Sequence, residues 1–257
     1  MIKKIILSFV LIFISFNTGF TEDQKIKDIV WLTSAQYPPF NYREENGTLQ
    51  GIAIELIEAV MKQLELGKDR TNIETWPWAR SYQEALKPGK LNCIFATTRT
   101  KEREPLFKWF GPIVKTKISI HGYKNKIKIK DFDDLKNYQY VVVRKDIGEL
   151  TLQTIGVPDA KITRVTKIIQ LFEMLKLGRV DFIAYEENVI KFMANKFGYR
   201  DAEFNSVFTI KEGELWYALN RSANDEMVRK LQTTLNVVKK KSSVKKVLKA
   251  KYKIQFP

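Results

Sequence analysis

Hydrophobic and polar positions follow two alternating patterns along this chain: short apolar runs rich in β-branched residues, and longer segments with apolar positions three or four residues apart. The short runs predict strands over Ile29 to Thr33, Ile73 to Trp76, Cys93 to Thr97, Ile118 to Tyr123, Tyr140 to Arg144, Phe182 to Tyr185 and Leu215 to Leu219. The longer segments predict helices over Ile54 to Leu64, Ala79 to Leu86, Phe132 to Asn137, Glu149 to Ile155, Lys167 to Lys176, Glu187 to Phe197 and Asp225 to Lys240. The alternation indicates an α/β fold in which helices cover both faces of a sheet.

The first residues have the features of an export signal. Two lysines precede the apolar run from Ile5 to Phe16, and the small residues Gly19 and Thr21 follow it. An uncleaved membrane anchor is the alternative, but the apolar run is shorter than the ~20 residues that a spanning helix needs. The pattern therefore predicts a signal peptide over residues 1–21 and a mature protein that is periplasmic or otherwise extracytoplasmic.

The composition bounds the class of protein. A hydrophobic content of 44% in 257 residues is enough for one large or two modest packed domains. Cys93 is the single cysteine and lies in an apolar run, so we expect a buried thiol and no intrachain disulfide. His121 is the single histidine, and no zinc motif, cysteine pair or serine elbow is present, so most enzyme classes are excluded and neither a metal nor a cofactor is expected.

The formal net charge of +15 is concentrated at the end of the chain, where residues 227–257 hold ten Lys or Arg and no acid. Ser222 and Asp225 have the spacing of a capping box before this region. Its apolar residues recur at helical spacing, which predicts two helices with a solvated lysine face, although docking to an anionic membrane or a partner remains an alternative. No nucleic-acid partner is expected, because aromatic residues are not interleaved with the lysines. The apolar residues are Val228, Leu231, Leu235, Val238, Val244, Val247, Leu248 and Tyr252.

Three motifs occur in a fixed order downstream of the leader. An aromatic Pro-Pro segment, Tyr37-Pro38-Pro39-Phe40, precedes the glycine-punctuated helix start from Gly47 to Leu56, and a Thr-x-x-Arg motif spans Thr100 to Arg103. This set resembles the family 3 extracellular solute-binding proteins, the receptors that capture polar amino acids for uptake. The resemblance extends from about Ile29 to about Tyr252.

The resemblance implies a two-lobed type II periplasmic-binding-protein fold, in which each lobe is a mixed sheet flanked by helices and two crossing strands join the lobes. Mapped onto this chain, lobe 1 comprises residues 22–118 and 215–257, and lobe 2 comprises residues 119–214. The crossings then fall near Ile118 to Tyr123 and Glu214 to Leu219. Two crossing strands form a hinge, so the lobes can close on a ligand.

Arg103 is the first candidate for ligand binding. Its guanidinium stays charged and matches a carboxylate with two parallel hydrogen bonds. The family resemblance implies that Arg103 binds the α-carboxylate of the ligand, with Thr98 and Thr100 supplying neighbouring donors. The alternative is that Arg103 belongs to a basic surface turn with Arg99 and Lys101.

Glu186 is the candidate on lobe 2. It ends the Gly178 to Glu186 segment, which resembles the family strand whose acidic residue pairs with the α-ammonium of the ligand. Glu187 is an adjacent rival. Family members have a Gly-Thr/Ser turn at a helix N-terminus where this chain has Asp146-Ile147-Gly148, which puts the usual carboxylate contact there in question.

Aromatic residues complete the expected site. Tyr37 would cover the apolar part of the ligand, Trp78 would flank the cleft, and Arg80 would add a second cation for an acidic ligand. Phe40 is a second ring that could cover the apolar part of the ligand, but a position in the hydrophobic core fits Phe40 better.

The sequence thus predicts an exported, monomeric receptor that closes on a small zwitterionic or carboxylated molecule and delivers it to a membrane permease. A secreted dehydratase of the same fold, with Glu186 as a general acid, is the enzymatic alternative.

Overall fold

The computed structural model describes residues 25–124, 127–200 and 203–252. The signal peptide predicted over residues 1–21 lies outside these ranges. Within them, no helix is both long enough and apolar enough to cross a membrane.

In the part of the chain that the structure describes, eight strands form one mixed sheet and three short strands form a second. In chain order the strands are β1 Val30–Thr33, β2 Gln36–Tyr37, β3 Asn41–Arg43, β4 Leu49–Gln50, β5 Ile73–Thr75, β6 Asn92–Thr98, β7 Phe107–Tyr123, β8 Tyr140–Val143, β9 Ile162–Val165, β10 Phe182–Glu186 and β11 Phe204–Asn220. The large sheet has the order β5-β1-β6-β11-β7-β10-β8-β9, and β2, β3 and β4 form the small one. Parallel pairs lie at both ends of the large sheet, and antiparallel pairs with β7 and β11 lie at its centre.

Seven α-helices in the described ranges pack against these strands. They are α1 Ile52–Gln63, α2 Trp78–Leu86, α3 Ile147–Ile155, α4 Ile168–Lys176, α5 Glu187–Lys196, α6 Asp225–Lys240 and α7 Ser242–Tyr252. The helix predicted over Phe132 to Asn137 is wrong in type and extent, since only a 3-10 turn over Asp134–Asn137 forms there. That segment buries only Leu135, too little apolar surface to hold a longer helix.

The two central strands are much longer than the sequence indicates. The predictions covered only Ile118 to Tyr123 in β7 and Leu215 to Leu219 in β11, whereas each strand has 17 residues. In the missing part of β7, Gly111-Pro112 and several lysines interrupt the buried apolar positions, and in β11 most residues from Asn205 to Glu214 are exposed or half-buried, so neither stretch reads as one apolar run. Lys117 lies opposite Glu212 in the ladder, with an ion-pair distance of 3.1 Å between Nζ and Oε1. Such cross-strand pairs favour the ladder without a hydrophobic signal.

We call the part of the protein around β5, β1 and β6 lobe 1, and the part around β10, β8 and β9 lobe 2. Lobe 1 also contains the small sheet, α1 and α2, and α6 and α7 pack on it, whereas α3, α4 and α5 pack on lobe 2. β11 pairs with β6 from Leu215 to Leu219. β7 pairs with β10 from Ile118 to His121. Both long strands therefore run from one lobe into the other; the exact lobe boundaries stay a prediction.

Local features fix the start of several elements. A Cβ atom on Gly51 would lie 2.2 Å from the carbonyl oxygen of Phe40, so only glycine fits where α1 begins against the Pro-Pro segment. The cap of α6 is Asn224, whose side chain accepts the Met227 amide at 2.7 Å, and the capping box predicted from Ser222 is therefore wrong. Ser222 instead donates to Asn220 Oδ1 at 2.8 Å. The thiol of Cys93 is buried as expected.

Candidate functional site

The candidate site lies in the cleft where the two lobes face each other. The side chains there leave a space of about 10 Å³, close to the minimum that one water molecule needs. Lobe 1 lines this cavity with polar and aromatic groups, and lobe 2 adds an acid and a tyrosine. The lining residues are Ser34, Tyr37, Asn41, Trp78, Phe95, Ala96, Asp146 and Tyr185.

Arg103 reaches this cleft from the turn that follows β6. It is only 2% exposed, and its guanidinium lies 5.2 Å from the ring centre of Tyr82 and 5.8 Å from that of Trp78. Nη1 donates to the carbonyl of Thr98 at 3.2 Å, while Nε has no partner among the described residues. No carboxylate in the described chain lies within 4.0 Å of its nitrogens. Arg103 is therefore a buried cation without an ion pair, and not part of a basic surface turn.

Thr98 and Thr100 hold this turn in place. The Thr98 carbonyl accepts from the guanidinium, and the Thr100 hydroxyl accepts the backbone amide of Arg103 at 3.3 Å. Both residues are buried. The structure thus brings Thr98 and Thr100 beside Arg103, where they position the guanidinium.

One carbonyl of lobe 2 receives two donors from lobe 1. The carbonyl oxygen of Lys145 accepts Trp78 Nε1 at 3.0 Å and Arg103 Nη2 at 3.3 Å. Lys145 has a φ of 60°, an unusual conformation for a residue other than glycine, which directs the turn before α3 toward lobe 1. Trp78, at the start of α2, therefore lies at the cleft and also contacts the opposite lobe.

Aromatic rings close another side of the cavity. Tyr37 of lobe 1 meets Tyr185 of lobe 2 edge to face, with 5.7 Å between the ring centres, and contacts Phe40 at 5.3 Å. Phe40 is fully buried in the main core. Tyr37 is thus the ring that spans the two lobes, and Phe40 supports it from behind.

Arg80 does not join the other predicted residues. Its guanidinium lies 4.3 Å from the ring centre of Trp76, and its side chain is exposed. Among the described residues, its side chain forms no hydrogen bond or ion pair with Arg103, and it does not line the cavity. The structure brings together Arg103, Thr98, Thr100, Tyr37 and Trp78 but leaves Arg80 on the surface.

Glu186 is completely buried at the end of β10, where it caps α5. Its carboxylate accepts the Val189 amide at 2.8 Å, Asn188 Nδ2 at 2.9 Å and the Thr116 hydroxyl at 3.1 Å. Burial raises the pKa of Glu186 to about 7, against the lowering effect of these donors. The adjacent Glu187 is less buried and accepts the Ser119 hydroxyl at 3.3 Å.

Asp146 is a buried acid that lines the cavity, at the N-cap of α3. Gly148 follows it closely, and a Cβ atom there would lie 2.2 Å from the carbonyl oxygen of Ala184, so α3 packs directly on β10. Burial raises the pKa of Asp146 to about 6, while the nearby charge of Arg103 acts in the opposite direction. Burial, and then Asp146 and Glu186, raise the pKa of Tyr37 well above its usual range.

The sequence-based site omitted six of the residues that line this cavity. They are Ser34, Asn41, Phe95, Ala96, Asp146 and Tyr185. The Asp-x-Gly spacing at a helix start marked Asp146 as an anomaly in the family motif, and Tyr185 directly precedes Glu186. Asn41 had no signal, because it depends on the β2–β3 hairpin, which is too short for a periodic pattern.

Because the pKa of Glu186 is raised in the folded protein, the variant Glu186→Gln should gain stability relative to the wild type as pH rises. The folded-state pKa of about 7 exceeds the ordinary 4.5, so the folded protein holds this proton more tightly than the unfolded chain. The destabilisation caused by Glu186 is therefore absent below pH 4.5 and complete above pH 7.

Urea unfolding of both proteins at about pH 5 and about pH 8 measures this effect. The difference in unfolding free energy should grow by about 1 to 3 kcal/mol in favour of the variant. Comparing variant with wild type cancels the titration of His121, whose pKa burial lowers to about 4. A difference that does not change with pH would contradict the prediction.

The model for the bacterial extracellular solute-binding proteins, family 3, matches residues 29–253. The chain belongs to this family. The match agrees with the resemblance found in the sequence, and the mixed sheet flanked by helices confirms the predicted fold class.

Individual relatives are similar over most of their length. A protein of Bacillus subtilis (strain 168) described as "Probable amino-acid-binding protein YxeM" is 27% identical over 234 residues, covering 90% of this chain and 85% of the relative. An ancestral arginine-binding protein bound to arginine is 26% identical with a TM-score of 0.72, covering 88% of this chain and 98% of that one. A mutant ArgBP from T. maritima has a TM-score of 0.74 at 17% identity, covering 89% and 96%, and shows the two-lobed fold alone.

Proposed function

We propose that this protein is an exported receptor that captures a small zwitterionic or carboxylated ligand, an amino acid or a close relative of one, between its lobes. The observation that carries the proposal is Arg103, a cation that is 2% exposed and lacks an ion pair within the described chain. A buried charge is costly unless an opposite charge meets it. A ligand carboxylate at the guanidinium would satisfy that requirement with two charge-assisted hydrogen bonds.

The contacts at the cleft suggest how binding and closure are coupled. Arg103 and Trp78 of lobe 1 both donate to the carbonyl of Lys145 in lobe 2. A carboxylate is a stronger acceptor for Arg103 than a neutral carbonyl, so a ligand would take over one donor and leave Trp78 to hold the lobes together. Tyr37 and Tyr185 would then cover the ligand from opposite lobes.

Glu186 is the group that we propose for the α-ammonium. The family membership and the names of the relatives support an amino acid as the ligand. We further propose a monomeric protein on the outer side of the cytoplasmic membrane that hands its ligand to a permease, with lobe 1 comprising residues 22–118 and 215–257 and lobe 2 residues 119–214.

One observation favours the dehydratase of the same fold as a second candidate. The pKa of Glu186, raised to about 7 by burial, lies where a general acid works best near neutral pH. The relatives in the comparisons are binding proteins, which supports the receptor as the first candidate.

Thermal-shift screening against L-amino acids, small carboxylic acids and amines tests the proposed function. A ligand that binds only the native state stabilises it by mass action, by about 2.7 kcal/mol at a hundred times its dissociation constant. We expect at least one amino acid to raise the melting temperature.

Two further measurements use that amino acid at saturation. X-ray scattering should show a particle no larger than the unliganded protein, and hydrogen-exchange measurements should show slower exchange in the middle of β7 and β11. Failure of every amino acid and carboxylic acid to stabilise the protein would overturn the proposal.

A further inference from the structure

Asp146 is an acid in the cleft that the ligand contacts proposed above do not use. It lines the cavity beside Tyr37 and Tyr185 and is 6% exposed. Its side chain accepts from the Gly148 amide, at a long 3.4 Å, and the Ile147 amide is a second backbone donor to it. A carboxylate has about four acceptor positions, so this helix cap leaves about half of them unfilled.

The neighbouring charges do not occupy those positions. Arg103 donates to the carbonyls of Thr98 and Lys145 and lies beyond ion-pair distance of Asp146. The adjacent acid Glu149 faces Arg164, with 2.6 Å between its Oε1 and the Nε of the arginine. Glu186 has its own three donors. Asp146 therefore keeps its acceptor capacity toward the cavity.

A second unfilled acceptor lies on the same cavity. Asn41 is 1% exposed, and its Nδ2 donates to the carbonyl of Ser34. Its Oδ1 has no donor among the residues that the structure describes. The rings of Tyr37 and Trp78 complete the lining. Carboxylate and amide oxygens beside aromatic rings are the environment that suits an ammonium or guanidinium group.

The balance of charge in the cleft points the same way. Arg103 contributes one positive charge, whereas Asp146 and Glu186 contribute two negative charges when both are ionised. With both acids ionised, a neutral zwitterion would leave the site with an excess negative charge in a buried place, and an acidic ligand would increase it. A ligand with one additional cation neutralises the cleft.

We propose that Asp146 is a specificity-determining residue that binds a cationic side-chain group of the ligand, so that the receptor prefers basic amino acids to neutral and acidic ones. This inference rests on the proposed function, since it takes the carboxylate to lie at Arg103 and the α-ammonium at Glu186. Asp146 acts on a third point of the ligand, with Asn41 Oδ1 as a second acceptor.

Calorimetry with matched pairs of ligands tests the inference: L-arginine against its neutral isostere L-citrulline, and L-lysine against L-norleucine. The wild type should bind the better basic member at least about tenfold tighter than its neutral partner, as expected for one desolvated charge pair. Asp146→Asn keeps the helix cap and removes the charge, so it should lose at least about tenfold for the basic ligand and change the neutral one less than about threefold. Asp69→Asn is the matched control, because Asp69 also caps a helical turn and lies on the surface of lobe 1.

The possible outcomes separate this inference from the proposed function. Equal affinities within both pairs, or preferential binding of L-glutamate, would overturn the role of Asp146 and leave the amino-acid receptor intact. Equal losses for the basic and neutral ligands in Asp146→Asn would show that Asp146 only caps α3, which also overturns it. If none of the L-amino acids binds, the proposed function itself fails and this inference with it.

Discussion

Replacing Arg103 with alanine is expected to abolish high-affinity binding while the protein stays folded. The change removes a guanidinium that is fully enclosed by Tyr82, Trp78 and the two lobes, and it leaves the carboxylate of a bound ligand without its cation. Loss of one partner of a buried charge pair typically costs about 2 to 5 kcal/mol, which is roughly thirtyfold or more in affinity. Calorimetry with the amino acid that most stabilises the wild type measures the loss.

Two further variants make this result specific. Arg99→Ala removes an arginine from the same turn, where Arg99 pairs with Glu104 at 2.5 Å and lies over the ring of Trp216 at 4.5 Å, and it should bind normally. Arg103→Lys keeps the charge and loses the planar fork, so its affinity should fall between those of the wild type and the alanine variant. Wild-type affinity in a folded Arg103→Ala protein would remove Arg103 from the site.

The sequence predicted most of the sheet and helix content because these elements have strong periodic patterns. The strands β1, β6, β8 and β10 are buried along most of their length and therefore read as apolar runs. The strands of the small sheet have only two or three residues each, and β9 is buried only at its two ends, Ile162 and Val165, so neither shows an apolar run. The full length of β7 and β11 depends on pairing between residues about a hundred positions apart, such as Lys117 and Glu212, which no local pattern records.

The site was predictable only where a motif carried it. Arg103, Thr98 and Thr100 follow a strand within a few residues of one another, so their proximity is local. The carbonyl of Lys145 lies 67 residues from Trp78 and 42 residues from Arg103 along the chain. Because every residue has a backbone carbonyl, the sequence does not indicate which one these two side chains contact. The cap that Glu186 forms on α5 was likewise invisible, because an acid at a strand end fits a ligand contact and a helix cap equally well.

Glu186→Gln is expected to weaken ligands that carry an amine while sparing analogues that lack it. The substitution keeps the shape and an acceptor for the Val189 amide but deletes the negative charge that the proposed site offers to the α-ammonium. An amino acid should therefore lose about tenfold to a hundredfold in affinity, and its deaminated analogue should change by less than about threefold or improve.

Glu187→Gln is the matched control, since it makes the same change one residue along the chain, at the carboxylate that accepts from Ser119. Calorimetry with an amino acid and its deaminated analogue on the wild type and both variants gives the full comparison.

If Glu186 is instead a general acid, the wild type should turn over a substrate such as arogenate, and the Glu186→Gln variant should lose rate while it retains binding. Equal losses for both ligands, with turnover by neither protein, would leave Glu186 as the cap of α5 and exclude both roles. The side-chain and amide donors to Glu186 come from α5 and from β7. In that case the role of the acid is structural: it holds α5 of lobe 2 against the crossing strand β7.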